Sequence, residues 1–141
     1  MNIKSKVMTI ANALVKQGVS RSAAMVRAWI TVKLRRMEVK AAGVTHGNRQ
    51  TLLERLTRYS ADDITVTLRR EQNNAYDRNA IQIVAAVLNK GATVIGYINR
   101  ELAAALAPLL DKGATIASRF KAITGGGAPY MNYGFNLELT V

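Results

Sequence analysis

The chain has 141 residues, which is about one domain and long enough to bury a hydrophobic core. Its apolar content of 49% and charged content of 21% are ordinary for a globular protein and argue against disorder. The 20 Lys and Arg residues outnumber the 9 Asp and Glu residues, so the net charge is +11. Because the chain has no cysteine and a single histidine, His46, the composition excludes disulfides, thiolate catalysis and a Cys/His zinc site. We therefore expect neither a metal nor another cofactor.

The positive charge is concentrated at the N-terminus. Residues 1–40 contain nine Lys or Arg residues and one acidic residue, so +8 of the +11 lies there. A basic segment beside a nearly balanced domain is typical of proteins that bind a polyanion, because each phosphate contact releases condensed counterions. The simpler alternative is that these charges keep a small protein soluble.

The same segment has the periodicity of two helices, over roughly residues 3–17 and 20–37. Gly18 and Ser20 supply a stop and a new N-cap between them. A transit peptide or a membrane-surface helix would also be acidic-poor and amphipathic, but the stop and restart favour a folded hairpin. We expect Trp29 to anchor this hairpin rather than to stack on a base. The predicted apolar stripes are Val7, Ile10, Ala11 and Leu14, followed by Met25, Val26, Trp29, Ile30 and Met37.

From residue 39 the pattern changes to short β-branched segments bounded by Gly, Asn or Asp. Residues 52–56 predict one or two helical turns, and a longer helix begins after Asn99 and ends at Gly113, with Pro108 weakening its last turn. Six short strands with two helical insertions indicate a mainly β fold with helices, in a small, strongly curved sheet or barrel. The predicted strands are 39–44, 64–68, 81–87, 93–98, 115–123 and 132–141.

Motifs of enzymes are weak in this chain. GVTHGNRQT lacks the Gly-Lys-Ser/Thr ending of a phosphate loop, and GGGAP at 125–129 lacks the helix that would present amides to a phosphate. Asp62 and Asp63 precede a strand, where adjacent side chains point to opposite faces, so a shared metal or proton is not expected. No serine or threonine has a histidine partner beyond His46. We therefore expect no catalytic residues and no enzyme activity.

Membrane insertion and secretion are not expected either. No apolar run approaches the roughly 20 residues that span a bilayer, and the N-terminus lacks the apolar segment of a secretory signal. The expected location is cytoplasmic.

Four motifs in order resemble the HIRAN domain family: GVTHGNRQ, LRREQNNAYDRNAIQI, VIGYINRELAAALAPLL, and an Ile-Thr-Gly-Gly turn before a final strand. The resemblance covers about residues 39–141 and leaves residues 1–38 as a separate basic helical hairpin. It implies a six-stranded OB-like barrel with helices and a pocket for the 3′ end of single-stranded DNA. Since the family includes domains of fork-remodelling helicases, it also implies a role in DNA repair or replication.

Carried onto this sequence, the resemblance implies a DNA pocket in which the arginines neutralise phosphates and the tyrosines stack on a base. Asp77 would accept the hydrogen bond of a free terminal hydroxyl. The chain departs from the family pattern at Gln50 and Thr51, where the fork-remodelling members have tyrosines, and in NAYD, where NPYD is usual. The implied pocket residues are Arg49 and Gln50 at one wall, Asn73, Asn74, Tyr76 and Asp77 at the floor, and Tyr97, Arg100 and Tyr133 closing it.

Several of these residues have a purely structural alternative. Asp77 and Asn79 are residue types that bond their own backbone in turns, so they could shape the connection between strands. Tyr76 and Tyr97 could pack in the core. Only convergence of the nine residues on one surface favours binding.

The sequence therefore predicts a non-catalytic DNA-binding module that recognises single-stranded 3′ ends through residues 39–141 and gains nonspecific affinity from the hairpin. The alternative is a protein-interaction adaptor in which residues 1–38 dock a partner protein or a dimer mate.

Overall fold

The computed structural model describes residues 3–32, 36–126 and 131–140, and for residues 3–7 and 29–32 it describes the backbone alone. The helices are α1 (Ile3–Lys16), α2 (Arg21–Val32), α3 (Arg49–Leu56) and α4 (Arg100–Asp111), with a short 3-10 turn at Ala61–Asp63. The strands are β1 (Arg36–Lys40), β2 (Ile64–Arg70), β3 (Ile81–Val87), β4 (Ala92–Tyr97), β5 (Ala117–Gly125) and β6 (Tyr133–Thr140).

The strands form two three-stranded antiparallel sheets, in the orders β1-β6-β5 and β2-β3-β4. On one side, an isolated bridge joins the sheets, with Ala42 and Tyr97 exchanging two N–H···O bonds of 2.8 Å. On the other side, Ser118 Oγ donates to the carbonyl of Val66 at 2.7 Å. Within the described ranges no continuous ladder joins the two sheets, so the fold is mixed α/β, with the six predicted strands present but the expected barrel not closed. One reason is Gly43, whose φ of +69° turns the chain away from β4 after a single paired residue.

Both sheets and two helices contribute to one hydrophobic core. In β6, Phe135, Leu137 and Leu139 are fully buried while the residues between them are partly exposed, the alternation of a strand with one face in the core. Leu53 of α3 and Leu106 of α4 are also fully buried. Because both helices are anchored in the core by these residues, the positions of their N-termini relative to the sheets are fixed.

The predicted helical hairpin is confirmed as α1 and α2. Gly18 has a φ of +93°, and Ser20 Oγ accepts the N–H of Ala23 at 3.3 Å, which caps α2 as expected. The two helices meet through the small buried residues Ala11, Ala24 and Ala28, with Ile10, Leu14 and Met25 packed around them. The side chain of Trp29, the expected anchor, lies outside the described residues. None of the helices described is both long and apolar enough to cross a membrane.

The predicted extent of the second helix, to residue 37, was wrong for Met37. This residue lies in β1, opposite Leu139, instead of on α2. The apolar face of β6 offers Met37 a cross-strand partner and access to the core, which outweighs its helical spacing. The first predicted strand also ends early, at Lys40, and beyond it Ala42 forms only an isolated bridge with Tyr97. Val26 of α2 packs against the same core, so the hairpin contacts the rest of the domain directly.

Gly96 provides a test of the junction between the sheets. A Cβ atom at Gly96 would lie 2.6 Å from the carbonyl oxygen of Ala42, a backbone atom that can move only by breaking the bridge. We expect Gly96→Ala to lower the free energy of unfolding by about 1–3 kcal/mol, as overpacking does. The matched control is Gly91→Ala, where a Cβ would meet nothing within 4 Å, and the expected change is below about 0.5 kcal/mol. Urea unfolding measures both, and equal stability of the two variants would contradict the prediction.

Candidate nucleic-acid interface

A polar cleft of about 600 Å³ opens where three segments meet: the loop before α3, the loop between β2 and β3, and the junction of β4 with α4. We call it the main cleft. Seven of the nine predicted site residues line it: Arg49, Asn73, Asn74, Tyr76, Asp77, Tyr97 and Arg100. The fold therefore brings together residues up to 54 positions apart in the sequence, from His46 to Arg100.

The loop between β2 and β3 is shaped by its own side chains. Asn74 Oδ1 accepts the N–H groups of Tyr76 at 2.8 Å and Asp77 at 2.9 Å, and Asp77 Oδ1 accepts the N–H of Asn79 at 2.9 Å. The structural role considered for Asp77 is thus present, and it uses one carboxylate oxygen. Tyr76 is 91% exposed, so it is not a core residue.

Arg70, at the end of β2, ties this loop to α4. Its Nη1 donates to the carbonyl of Ala80 at 2.7 Å and its Nη2 to the carbonyl of Arg78 at 3.0 Å. Its Nε also donates to Asp111 Oδ1 at 2.9 Å. Hydrogen bonding from Arg70 is the main reason why the pKa of Asp111 lies below its ordinary value. Arg70 therefore holds the C-terminal end of this loop against the end of β2 and against α4.

Arg49 and Tyr97 form the opposite wall and hold each other. The guanidinium carbon of Arg49 lies 5.3 Å from the centre of the Tyr97 ring, and its Nη1 donates to the carbonyl of Gly43 at 2.7 Å. The Tyr97 hydroxyl donates to Glu71 Oε2 at 2.6 Å, and Gln82 Nε2 donates to the same oxygen at 2.7 Å. The hydrogen bond from Tyr97, aided by Gln82, Asn74 and the charge of Arg49, outweighs partial desolvation and holds the pKa of Glu71 below its ordinary value. The cationic wall is thus preorganised by a carboxylate.

Gln50 and Tyr133, the other two predicted residues, do not line the main cleft. Gln50 Nε2 donates to the carbonyl oxygens of Val44 and Tyr133, each at 3.0 Å, and Gln50 Oε1 accepts the N–H of Tyr133 at 2.7 Å. The amide of Gln50 therefore connects the first turn of α3 to the start of β6. Tyr133 takes part through its backbone, while its ring lies against Gly126, where an added Cβ would overlap it.

Sequence reasoning missed the two other polar residues of this cleft, His46 and Glu71. His46 was considered only as a zinc ligand or as the partner of a catalytic serine or threonine, although it precedes Arg49 in the same motif. Glu71 directly follows the last residue of β2. No pattern in the linear sequence marks an acidic residue that the fold will place beside a cationic cleft with tyrosines. The partner of Glu71, Tyr97, is 26 positions away.

A pair of small antiparallel sheets with helical insertions and a polar cleft at their junction defines a small mixed α/β domain with one candidate site. The sequence pattern of the HIRAN domain matches residues 34–139. The chain therefore belongs to the HIRAN domain family, which confirms the resemblance seen in its motifs.

Individual relatives are similar over part of their length. The helicase-like transcription factor of Oryctolagus cuniculus is 50% identical over 46 residues, which are 33% of this chain and 4% of that protein. The crystal structure of the HIRAN domain of human HLTF shares 24% identity over 75% of this chain and 74% of its own, with a TM-score of 0.49. A crystal structure of a Lactobacillus plantarum protein shares 23% identity over 77% of this chain and 94% of its own, with a TM-score of 0.48. The chain thus spans a small fraction of the curated relative.

Glu71→Gln tests the network behind the cationic wall. Because the pKa of Glu71 is lowered by folding, its charge adds stability above the ordinary value of 4.5 and loses it as the pH falls through the lowered value. We expect the variant to lose about 1 kcal/mol at pH 7 and to show a shallower loss of stability between about pH 5 and pH 3. Urea unfolding at several pH values measures this.

Glu54→Gln is the control. Glu54 lies in α3 and forms an exposed ion pair with Arg58, just after the end of that helix. That variant should keep the acid-side slope of the wild type. An unchanged slope in Glu71→Gln would show that the carboxylate is not coupled to folding.

Proposed function

We propose that this protein is a non-catalytic DNA-binding module that holds the 3′ end of a single DNA strand in the main cleft. The observation that carries the proposal is the convergence of two arginines, two tyrosines and one loop carboxylate on a single cleft. Membership of the HIRAN family supports the same assignment, since the family resemblance implied a pocket for single-stranded 3′ ends.

Asp77 is the proposed reader of the terminal hydroxyl. Its Oδ1 is held by the N–H of Asn79, so the carboxylate is oriented while Oδ2 has no protein donor among the described hydrogen bonds. A carboxylate oxygen accepts a hydrogen bond from a hydroxyl but repels a phosphate. An oriented carboxylate therefore distinguishes a free 3′ hydroxyl from a 3′ phosphate or a continuing strand.

The remaining groups of the cleft suit the backbone and the base. In the proposed complex, Arg49 and Arg100 contact phosphates, and the exposed ring of Tyr76 stacks on a base. The ring of Tyr97 is already covered by Arg49 on one face, which favours a positioning role for it. Gln50 and Tyr133 support the wall from behind through their mutual hydrogen bonds.

The basic hairpin is proposed to add nonspecific affinity. Lys16 and Arg21 lie exposed at its turn, where they attract a polyanion without contacting its terminus. Electrostatic contacts of this kind raise affinity for all strands and do not read an end.

The salt dependence of binding tests the electrostatic part of the proposal. If the protein holds about three to five phosphates of a single strand, log affinity falls with log salt at a slope of roughly −2 to −3.5. Fluorescence anisotropy with a labelled oligothymidylate at several salt concentrations measures this slope. The double variant Lys16→Gln, Arg21→Gln should flatten the slope and weaken 3′-hydroxyl and 3′-phosphate strands equally. A flat response in the wild type would remove DNA from the account.

Asp77→Asn tests the end reader without removing the turn. Asparagine keeps an oxygen for the N–H of Asn79 but loses the charge that would repel a phosphate. For the wild type we expect 3′-phosphorylated strands to bind about tenfold to a hundredfold more weakly than 3′-hydroxyl strands, which corresponds to roughly 1–3 kcal/mol. The variant should bind both within about threefold of each other, since the repulsion is gone.

The control is Asp62→Asn, on the 3-10 turn, which removes an exposed carboxylate outside the cleft and should keep the full discrimination. If Asp77→Asn folds and still rejects the phosphate, another group reads the end. Circular dichroism and urea unfolding establish that each variant is folded.

A further inference from the structure

A second cleft of about 470 Å³ adjoins the main cleft along the face of the β2-β3-β4 sheet. Its lining includes Arg69 of β2, Thr93 of β4 and Asn48 before α3. It shares His46 and Arg49 with the main cleft, so these two side chains separate the two spaces and are accessible from both. We call it the side cleft.

The two clefts differ in charge. The main cleft contains Glu71 and Asp77 beside its arginines, which suits the end of a strand, where a terminal hydroxyl or a base supplies donors next to a phosphate. The side cleft contains Arg49, Arg69 and His46, and no acidic residue is part of its lining. A cationic space without carboxylates suits phosphates, which carry charge and accept hydrogen bonds only.

Arg69 is held in position within the side cleft. It lies opposite Gln82 in the sheet, and Gln82 lies opposite Tyr97, so the three side chains form a row on one face. The Nε of Arg69 donates to Gln82 Oε1 at 2.7 Å, and Gln82 Nε2 donates to Glu71 at 2.7 Å. The bond to Gln82 uses Nε, and among the described hydrogen bonds both Nη groups remain for a ligand. Arg69 is therefore oriented by the same network that orients the wall of the main cleft.

We propose that the side cleft is a second phosphate-binding site, which takes the backbone of the DNA strand as it leaves the main cleft past Arg49, with Arg69 as its main contact. This inference rests on the proposed function and adds the path of the strand, which the end-binding proposal leaves open. An alternative exit crosses a third cleft on the other side of the loop between β2 and β3, where Arg78 and Arg100 lie beside Asp77. The carboxylate there disfavours a phosphate path, so the side cleft is the better exit.

The test is a length series of 3′-hydroxyl oligothymidylates, from dinucleotide to octanucleotide, measured by fluorescence anisotropy at low salt. A dinucleotide fills the main cleft alone, whereas an octanucleotide also reaches the side cleft. We expect Arg69→Ala to weaken the octanucleotide about threefold to tenfold and the dinucleotide less than about twofold, and to reduce the octanucleotide salt slope by about 0.7, the value for one phosphate.

Arg69→Ala also removes the hydrogen bond to Gln82, so the test needs a second variant that keeps this bond. Ala92→Glu adds a carboxylate to the side cleft from the exposed start of β4 and removes no side-chain contact. It should weaken long strands in the same length-dependent way. Arg78→Ala, on the alternative path, and Arg119→Ala, exposed on β5 of the other sheet, should leave the length dependence unchanged.

The outcomes separate this inference from the function on which it rests. If the wild type binds no strand of any length, the DNA-binding proposal and this inference both fail. If it binds the dinucleotide and octanucleotide equally, or if Arg69→Ala and Ala92→Glu have no length-dependent effect, only the side cleft is overturned. If Arg78→Ala instead removes the gain from length, the strand leaves across the third cleft.

Discussion

The antiparallel bridge between Ala42 and Tyr97 is the contact on which the arrangement of the site depends. It joins the segment after β1 to the end of β4, and so sets the two sheets relative to each other on that side. Gly96 permits it, because the backbone of Ala42 passes where a Cβ would stand. The same bridge fixes the two ends of the cationic wall, since Tyr97 carries the ring and the chain leaving Ala42 leads through Gly43 to Arg49. Backbone pairing therefore determines where side-chain chemistry is available.

The chemistry of the main cleft follows from using a few carboxylates as supports. Glu71 accepts hydrogen bonds from Tyr97 and Gln82, and Asp111 accepts two from Arg70. Each carboxylate orients a donor that would otherwise lose conformational entropy on binding a ligand. In a chain of net charge +11, these acidic residues reduce the local positive charge but hold the neighbouring donor groups in fixed orientations. The main cleft, which contains carboxylates, and the side cleft, which has none in its lining, therefore differ in charge although both include Arg49.

Local patterns predicted most elements because their signals are local. The cap at Asn99, the stop at Gly18 and the alternation in β6 each depend on neighbouring residues. The closure of the barrel and the position of Met37 depended on pairing between distant strands, which a linear pattern does not specify. The site shows the same division: motifs located seven of the cleft residues, whereas Glu71 became visible only when the fold placed it beside Tyr97.

Gln50 shows how a departure from a family pattern can be read physically. At this position, where the resemblance led us to look for a tyrosine, both polar atoms of the amide are used to bond the backbone of Val44 and Tyr133. A side chain committed to three backbone bonds holds α3 against β6 and offers no flat face to a base. In the proposed complex, stacking therefore falls to Tyr76, which is the exposed aromatic residue of the cleft and stands on a loop already fixed by Asn74 and Arg70. In this proposal a tyrosine on a rigid loop takes the role of the aromatic residues expected at positions 50 and 51. Because the loop is already ordered, stacking a base on it costs little conformational entropy.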